Sequence, residues 1–279
     1  MLDNSITKKI EDFVYAKPRS VQEIAKHINR NWRTADRYVD EIKKNFGTIS
    51  TQVFREGTRG ALKIVYWASV EKISHSVFQE KLEEEILRAR KKEDFSAFDI
   101  FQHVKDNSKK AKLKYSKNEE EIAVENLADL YSGTEKQIIS FSGNLSFINY
   151  KTKIKDIFKI MENLVKKGVS IKILCRVDIA SKENVEKMLS LNFKHGKELI
   201  EIRHREHPLR ATIFDNKFFH MKEIKEPTGK IHELDKKIFL SYIIRDREWV
   251  EWLSKIFWKM FNSSIDANKR LQELQKLMK

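Results

Sequence analysis

One cysteine, three prolines and eight glycines are all that 279 residues hold of the types that staple, break or loosen a backbone. A single Cys175 excludes an intrachain disulfide and a cysteine-based metal site. It lies in the apolar run from Val169 to Val177 and reads as a small core residue. So few prolines and glycines point to long, regular elements. No apolar run approaches the roughly 20 residues of a membrane span. Acidic residues stand near the N-terminus where a signal peptide would be basic, so a cytoplasmic protein without membrane contact is expected. A glycine-rich phosphate loop is missing. His195, His204 and His232 show no paired spacing, and His204 and His207 fall in a loop running into a strand, so neither a metal nor a cofactor is expected.

Positive charge is what the chain has in excess. Lysine and arginine number 55 against 41 acids, a net charge of +14. Such an excess attracts phosphate, although a lysine-rich solvated surface has the same composition. Hydrophobic residues make up 41%, enough for a packed core.

The chain is organised around Ser20 to Trp67. Ser20-Val-Gln-Glu23 spells a capping box. Val21, Ile24, Ala25 and Ile28 follow at helical spacing. Asn29-Arg30-Asn31 breaks that helix, and Asn31 can cap the next, from about Trp32 to Lys44. Its apolar stripe is Ala35, Val39 and Ile42, with Trp32 and Tyr38 at the edges and Arg33, Thr34 and Arg37 on the other face. Two short helices joined by a tight turn, the second basic, have the layout of a helix-turn-helix. Strands are predicted at Ile49 to Phe54 and Ala61 to Trp67, flanking the loop Arg55-Glu-Gly-Thr-Arg-Gly60. A plain helical hairpin with a charged face is the bland alternative. The words Ile24-Ala25-Lys-His-Ile28 and Thr34-Ala35-Asp-Arg37-Tyr38-Val39, followed by a basic wing, resemble prokaryotic winged helix-turn-helix domains. That resemblance covers about the first quarter of the chain. With it, the DNA-contacting set is Arg30, Asn31, Arg33, Thr34, Arg37 and Tyr38 from the helices and Arg55, Thr58 and Arg59 from the wing.

Ahead of this pair, Leu2 to Ala16 reads as a helix. Beyond it a charged helix extends to Lys92, and Phe95 to Val104 is a short aromatic one. Asp106 to Lys117 carries five lysines and reads as a solvated linker, with a DNA-backbone strip as the other reading. Asn118 then opens a helix that Gly133 stops. Strands and helices alternate after it: Lys136 to Ser142, helix Lys151 to Lys167, Val169 to Val177, helix Lys182 to Leu191, Glu198 to Arg203, then a hairpin turning at Asp215-Asn216, Lys237 to Ile244, and helix Arg247 to Phe261. That order implies parallel strands with crossovers, and the hairpin makes the sheet mixed.

Within this half, Arg210-x4-Asp215 has the spacing of the Lys-to-Asp part of the His-x-Lys-x4-Asp motif, and it resembles the phospholipase D-like superfamily. The strand end Ser140-Phe-Ser-Gly-Asn144 and the closing Phe239-Leu-Ser241 to Trp258 stretch resemble it as well. Arg210 replaces the lysine, and Pro208 stands where the nucleophilic histidine belongs. His207 is one residue off, which alternation turns to the other face. His220-Met-Lys222 repeats half the motif, but its acid would fall on Pro227, so coincidence accounts for it.

A winged helix ahead of such a degenerate domain resembles the archaeal TrmB-type transcription regulators. The expected architecture is a winged helix-turn-helix domain (1–69), a helical, lysine-rich linker (70–118), a mixed-sheet α/β phospholipase D-like domain (119–262) and a C-terminal helix (263–279). The expected function is DNA-binding transcription regulation, not catalysis. His207, Arg210 and Asp215 then remain as a degenerate motif, and the domain serves dimerisation, ligand sensing or both. The competing expectation is a phosphodiesterase or nuclease targeted by the winged helix. The expected partners are double-stranded DNA and a second copy of the chain, with a small-molecule effector left open. Dimerisation rests on the single copy of the motif and on Trp249, Trp252, Leu253, Ile256, Phe257, Met260 and Phe261, more apolar surface than one narrow stripe needs.

Overall fold

The computed structural model describes residues 2–16, 18–55, 61–68, 77–115, 127–226 and 238–277. The N-terminal unit runs α1 (Asn4–Ala16), β1 (Arg19–Ser20), α2 (Val21–His27), α3 (Trp32–Asn45), β2 (Ile49–Arg55) and β3 (Ala61–Trp67). Ser20 and Glu23 close the capping box on α2, and the Asn31 side chain accepts from the Thr34 N–H at 2.8 Å to start α3. Asn29, at φ 53, makes the left-handed turn between them, a conformation asparagine tolerates. Gly47, at φ 67, ends α3, and a Cβ there would also press on Ser254 Oγ at 3.2 Å. The three helices close over Ile10, Val14, Ile24, Val39, Ile42 and Val65, against a sheet ordered β1-β3-β2.

The remaining elements are α4 (Val77–Arg88), α5 (Ala97–Phe101), β4 (Lys109–Tyr115), β5 (Gln137–Phe141), α6 (Ile157–Lys167), β6 (Ser170–Cys175), α7 (Lys182–His195), β7 (Ile200–His204), β8 (Ala211–Phe214), β9 (Phe218–Lys225), β10 (Ile238–Ile244), α8 (Arg247–Asn262), β11 (Ile265–Asp266) and α9 (Ala267–Leu277). The sheet is ordered β11-β7-β6-β5-β8-β9-β10-β4. β5, β6 and β7 are parallel and the other pairings antiparallel, as the alternating pattern and the hairpin imply. One face buries Ile138, Ile171, Ile173, Ile202 and Phe214 under α6, α7 and α9. The other buries Ile139, Phe141, Leu174, Ile213 and Tyr242 under α8, α4 and α5.

Several expectations need correction. Residues 109–115, read as linker, form the edge strand β4, paired along β10 from Ile244↔Lys109 to Ile238↔Tyr115. Lysine density masked a strict period-two alternation, Lys110-Ala-Lys-Leu-Lys-Tyr115. Leu82 and Ile86 of α4 and Ile100 of α5 are buried in the same core as α8, so the stretch before 119 belongs to the α/β unit. The closing helix is likewise no separate tail: β11 pairs with β7, and Ala267, Leu271 and Leu274 of α9 join the core. Finally, the apolar surplus of α8 is consumed within the chain. Trp252, Leu253, Ile256 and Phe257 are all at 0% exposure, which removes the surface argument for a dimer. The helix expected from Lys151 begins only at Ile157, where Asp156 caps it.

The units touch at several points. Asn4 Nδ2 donates to the Gly168 carbonyl at 3.0 Å, and Lys8 pairs with Glu198 at 3.0 Å. Trp67 stands edge-on to Tyr15 and Trp258, with ring centroids 5.2 and 6.0 Å away. The Asn216 amide reaches the Lys44 carbonyl at the end of α3, 3.4 Å away.

Candidate nucleic-acid interface and a polar cavity

Helical periodicity decides which side chains of α3 face outward. Ala35, Val39 and Ile42 are fully buried, whereas Arg33 and Arg37 are exposed, with Thr34 half-buried beside them. Arg30 and Asn31 are exposed at the turn leading in. None of Arg30, Arg33 and Arg37 makes an ion pair among the described residues. Among the described residues they meet the Asn29 carbonyl (Arg30) and the rings of Trp32 and Tyr38, 5.7 and 5.4 Å from the guanidinium carbons of Arg33 and Arg37. The acids of α3 are engaged elsewhere: Lys63 on β3 holds Asp36 at 2.8 Å and Asp40 at 2.6 Å. Lys63, which the sequence did not single out, therefore mutes the negative charge flanking the arginines. Tyr38 is a correction. It is 9% exposed and packs in the unit's core, because it adjoins the apolar stripe and its ring is drawn inward. Arg55 closes β2 opposite Ala61, and Thr58 and Arg59 lie outside the described residues.

The degenerate motif does not converge on one point. His207 is buried, its ring edge-on to Phe141 and its Nε2 3.1 Å from the Leu174 carbonyl. Burial, with Arg210 nearby, pushes its pKa down to about 3, so the ring is neutral. Asp215 lies in the β8–β9 turn at φ 52 and accepts the backbone N–H groups of Glu135, Lys136 and Gln137 at 3.1, 2.8 and 3.0 Å. It clamps the start of β5. Arg210 alone reaches a cavity of about 100 Å³ over the end of β5.

That cavity joins residues far apart in sequence. Its lining includes Ser142, Gly143 and Asn144 after β5, Tyr131, Thr212, and His220 and Lys222 of β9. A Cβ on Gly143 would lie 2.6 Å from an Arg210 guanidinium nitrogen, so glycine leaves room for that side chain. Burial and the neighbouring Arg176 both lower the pKa of Arg210. His220 Nε2 sits 2.7 Å from Ser241 Oγ, and burial pushes its pKa down to about 4. Ser140 and Thr212 share a hydroxyl hydrogen bond at 3.0 Å, and burial raises the Tyr131 phenol to about 12. Among the described residues the lining contains no Asp or Glu. His220 and Lys222, set aside as coincidence in the sequence, are brought here by hairpin register: Thr212 faces His220 in the β8–β9 ladder. Among the described residues, no three His, Cys, Asp or Glu side chains gather to hold a metal, and no helix is long and apolar enough to cross a membrane.

No family model matches the chain, and no curated protein matches it in sequence. Solved structures similar to it in part include Nuc, a phospholipase D family member from Salmonella typhimurium, at 14% identity and a TM-score of 0.40, covering 57% of this chain and 97% of that one. NucT from Helicobacter pylori, at 13% identity and 0.39, covers 57% and 99%. TrmBL2, described as an archaeal chromatin protein with a novel mode of DNA binding, is 15% identical at a TM-score of 0.39 and covers 94% of each chain. Likenesses this distant assign no family and no activity.

Proposed function

We propose that this chain is a DNA-binding transcription regulator of the TrmB type. In this reading the N-terminal unit is a winged helix-turn-helix, and the α/β unit is a catalytically inactive phospholipase D-like domain that senses a small effector. The chain acts as a homodimer, since two-fold pairing suits a helix-turn-helix to paired half-sites. The observation that carries the proposal is the pair Arg33 and Arg37, exposed on a capped helix whose nearby acids Asp36 and Asp40 are both held by Lys63. The order α1-β1-α2-α3-β2-β3 supports it, because it lays a basic helix beside a basic hairpin. Inactivity is favoured by chemistry. A histidine nucleophile must reach substrate, whereas His207 is packed on Phe141 and His220 is tied to Ser241.

Selection of duplexes from a random pool by the full chain tests this directly. A recurrent motif is expected, together with no hydrolysis of a generic phosphodiester or of DNA. Selection of no motif, or hydrolysis that disappears in His220→Ala protein, contradicts the reading.

A further inference from the structure

The sheet register draws a line of positive charge that α3 does not use. Lys112 of β4 pairs with Ser241 of β10, and Ser241 pairs with Lys222 of β9. The Lys222 N–H donates to the Arg210 carbonyl at 3.0 Å, setting Arg210 beside it. Partners across an antiparallel ladder point to the same side, so Lys112, Lys222 and Arg210 form one row on one face. With neighbouring strands about 4.8 Å apart, the row spans about 14 Å. Lys110 and Lys114 flank Lys112 on the same face, each about 7 Å along the strand. Lys110 and Lys112 are exposed and make no ion pair among the described residues. At the inner end of the row the cavity lining holds no carboxylate among the described residues. Glu226, which continues this face of β9, stands beyond the end of the strand.

We propose that this row is a second phosphate-contacting surface, through which the α/β unit grips the backbone of nucleic acid that α3 also binds. Cations spaced several ångströms apart and open to solvent at a sheet edge suit a polymer with repeated charges. A lone oxyanion would be served by Arg210 and Lys222 without the edge lysines. The β8–β9 turn, whose Asn216 touches the Lys44 carbonyl at the C-terminal end of α3, lies about 20 Å along the strands from Arg210, and Arg37 and Arg33 stand roughly 10 and 16 Å further up α3, so the two sets of cations are separated by at most about one helical turn of a duplex, ~34 Å. This inference rests on the DNA-binding reading, and its test separates the two.

Anisotropy titrations of full-length wild type, K110A/K112A, R33A/R37A and the quadruple variant with a mixed-sequence duplex, across a range of salt, make that separation. K110A/K112A should weaken binding several-fold and flatten the logarithmic salt slope by roughly two units, in both the wild-type and the R33A/R37A background, with thermal melting unchanged. An unchanged slope and affinity overturns the proposal and leaves the lysines as guards against edge pairing. If R33A/R37A binds like wild type while K110A/K112A does not, the row stands and the α3 reading falls. If wild type binds no duplex, both fall. Inorganic pyrophosphate is the second probe: binding lost in R210A and indifferent to K110A/K112A, with an unchanged duplex slope, assigns the cavity to a small oxyanion and overturns the nucleic-acid row.

Discussion

The arginines of α3 and the histidines of the sheet stand in opposite states. Arg33 and Arg37 project into solvent from a small three-helix unit, charged and without ion pairs among the described residues. His207 and His220 are buried, neutral and already hydrogen-bonded. The first arrangement leaves interaction capacity free for a partner, and the second spends it inside the fold. Exposed cations cost little to keep and gain from phosphate. A buried imidazole locked to a neighbouring hydroxyl gains by remaining uncharged.

The largest expected effect lies on the buried side. Asp215→Ala removes the acceptor of three backbone N–H groups at the start of β5 and should lower unfolding stability by about 2–4 kcal/mol in denaturant melts. Asp215→Asn should recover part of the loss, because it keeps an acceptor and tolerates the left-handed turn. An Ala variant as stable as wild type would show that the clamp contributes little.

Next comes pH. The folded-state pKa of His220 is depressed to about 4 against about 6.5 unfolded, so the unfolded chain binds the extra proton first. The stability tied to the neutral ring is complete above pH 6.5 and is lost as pH falls towards 4, about 3 kcal/mol in all. His207 adds a loss of the same sign reaching to about pH 3. His220→Asn should flatten the decline between pH 6.5 and 4 by at most about half, because His207 loses as much over the same window. A variant that keeps the full decline would mean that His220 is not held neutral.

Much of the exposed side was legible in the sequence, because caps and turns are local. Ser20, Glu23 and Asn31 cap as their spacing implies, and the buried stripe of α3 is the one its period lays out. Tyr38 was not legible, since an aromatic at the edge of a stripe can turn either way. The buried side depends on register. The β8–β9 loop holds three residues, Asp215 to Lys217, and counting outward from Asn216 pairs Phe214 with Phe218 and Thr212 with His220, one residue off the two-residue turn read from the sequence; the next step brings Arg210 to Lys222. Comparison along the chain alone put the motif at His207, Arg210 and Asp215, which lie on different faces and at opposite ends of β8. The edge strand β4 was hidden by composition: its lysines look like a solvated run until their alternation is counted.

In the proposed function α3 carries the recognition of DNA. Its most direct measurement is the affinity of Arg33→Ala, Arg37→Ala and the double variant for the duplex that the wild-type protein selects, set beside a scrambled duplex at the same salt. Each substitution should cost about 1–3 kcal/mol on the selected duplex and less on the scrambled one, so that the preference narrows. A double variant that binds the selected duplex as tightly and as selectively as wild type would remove α3 from recognition.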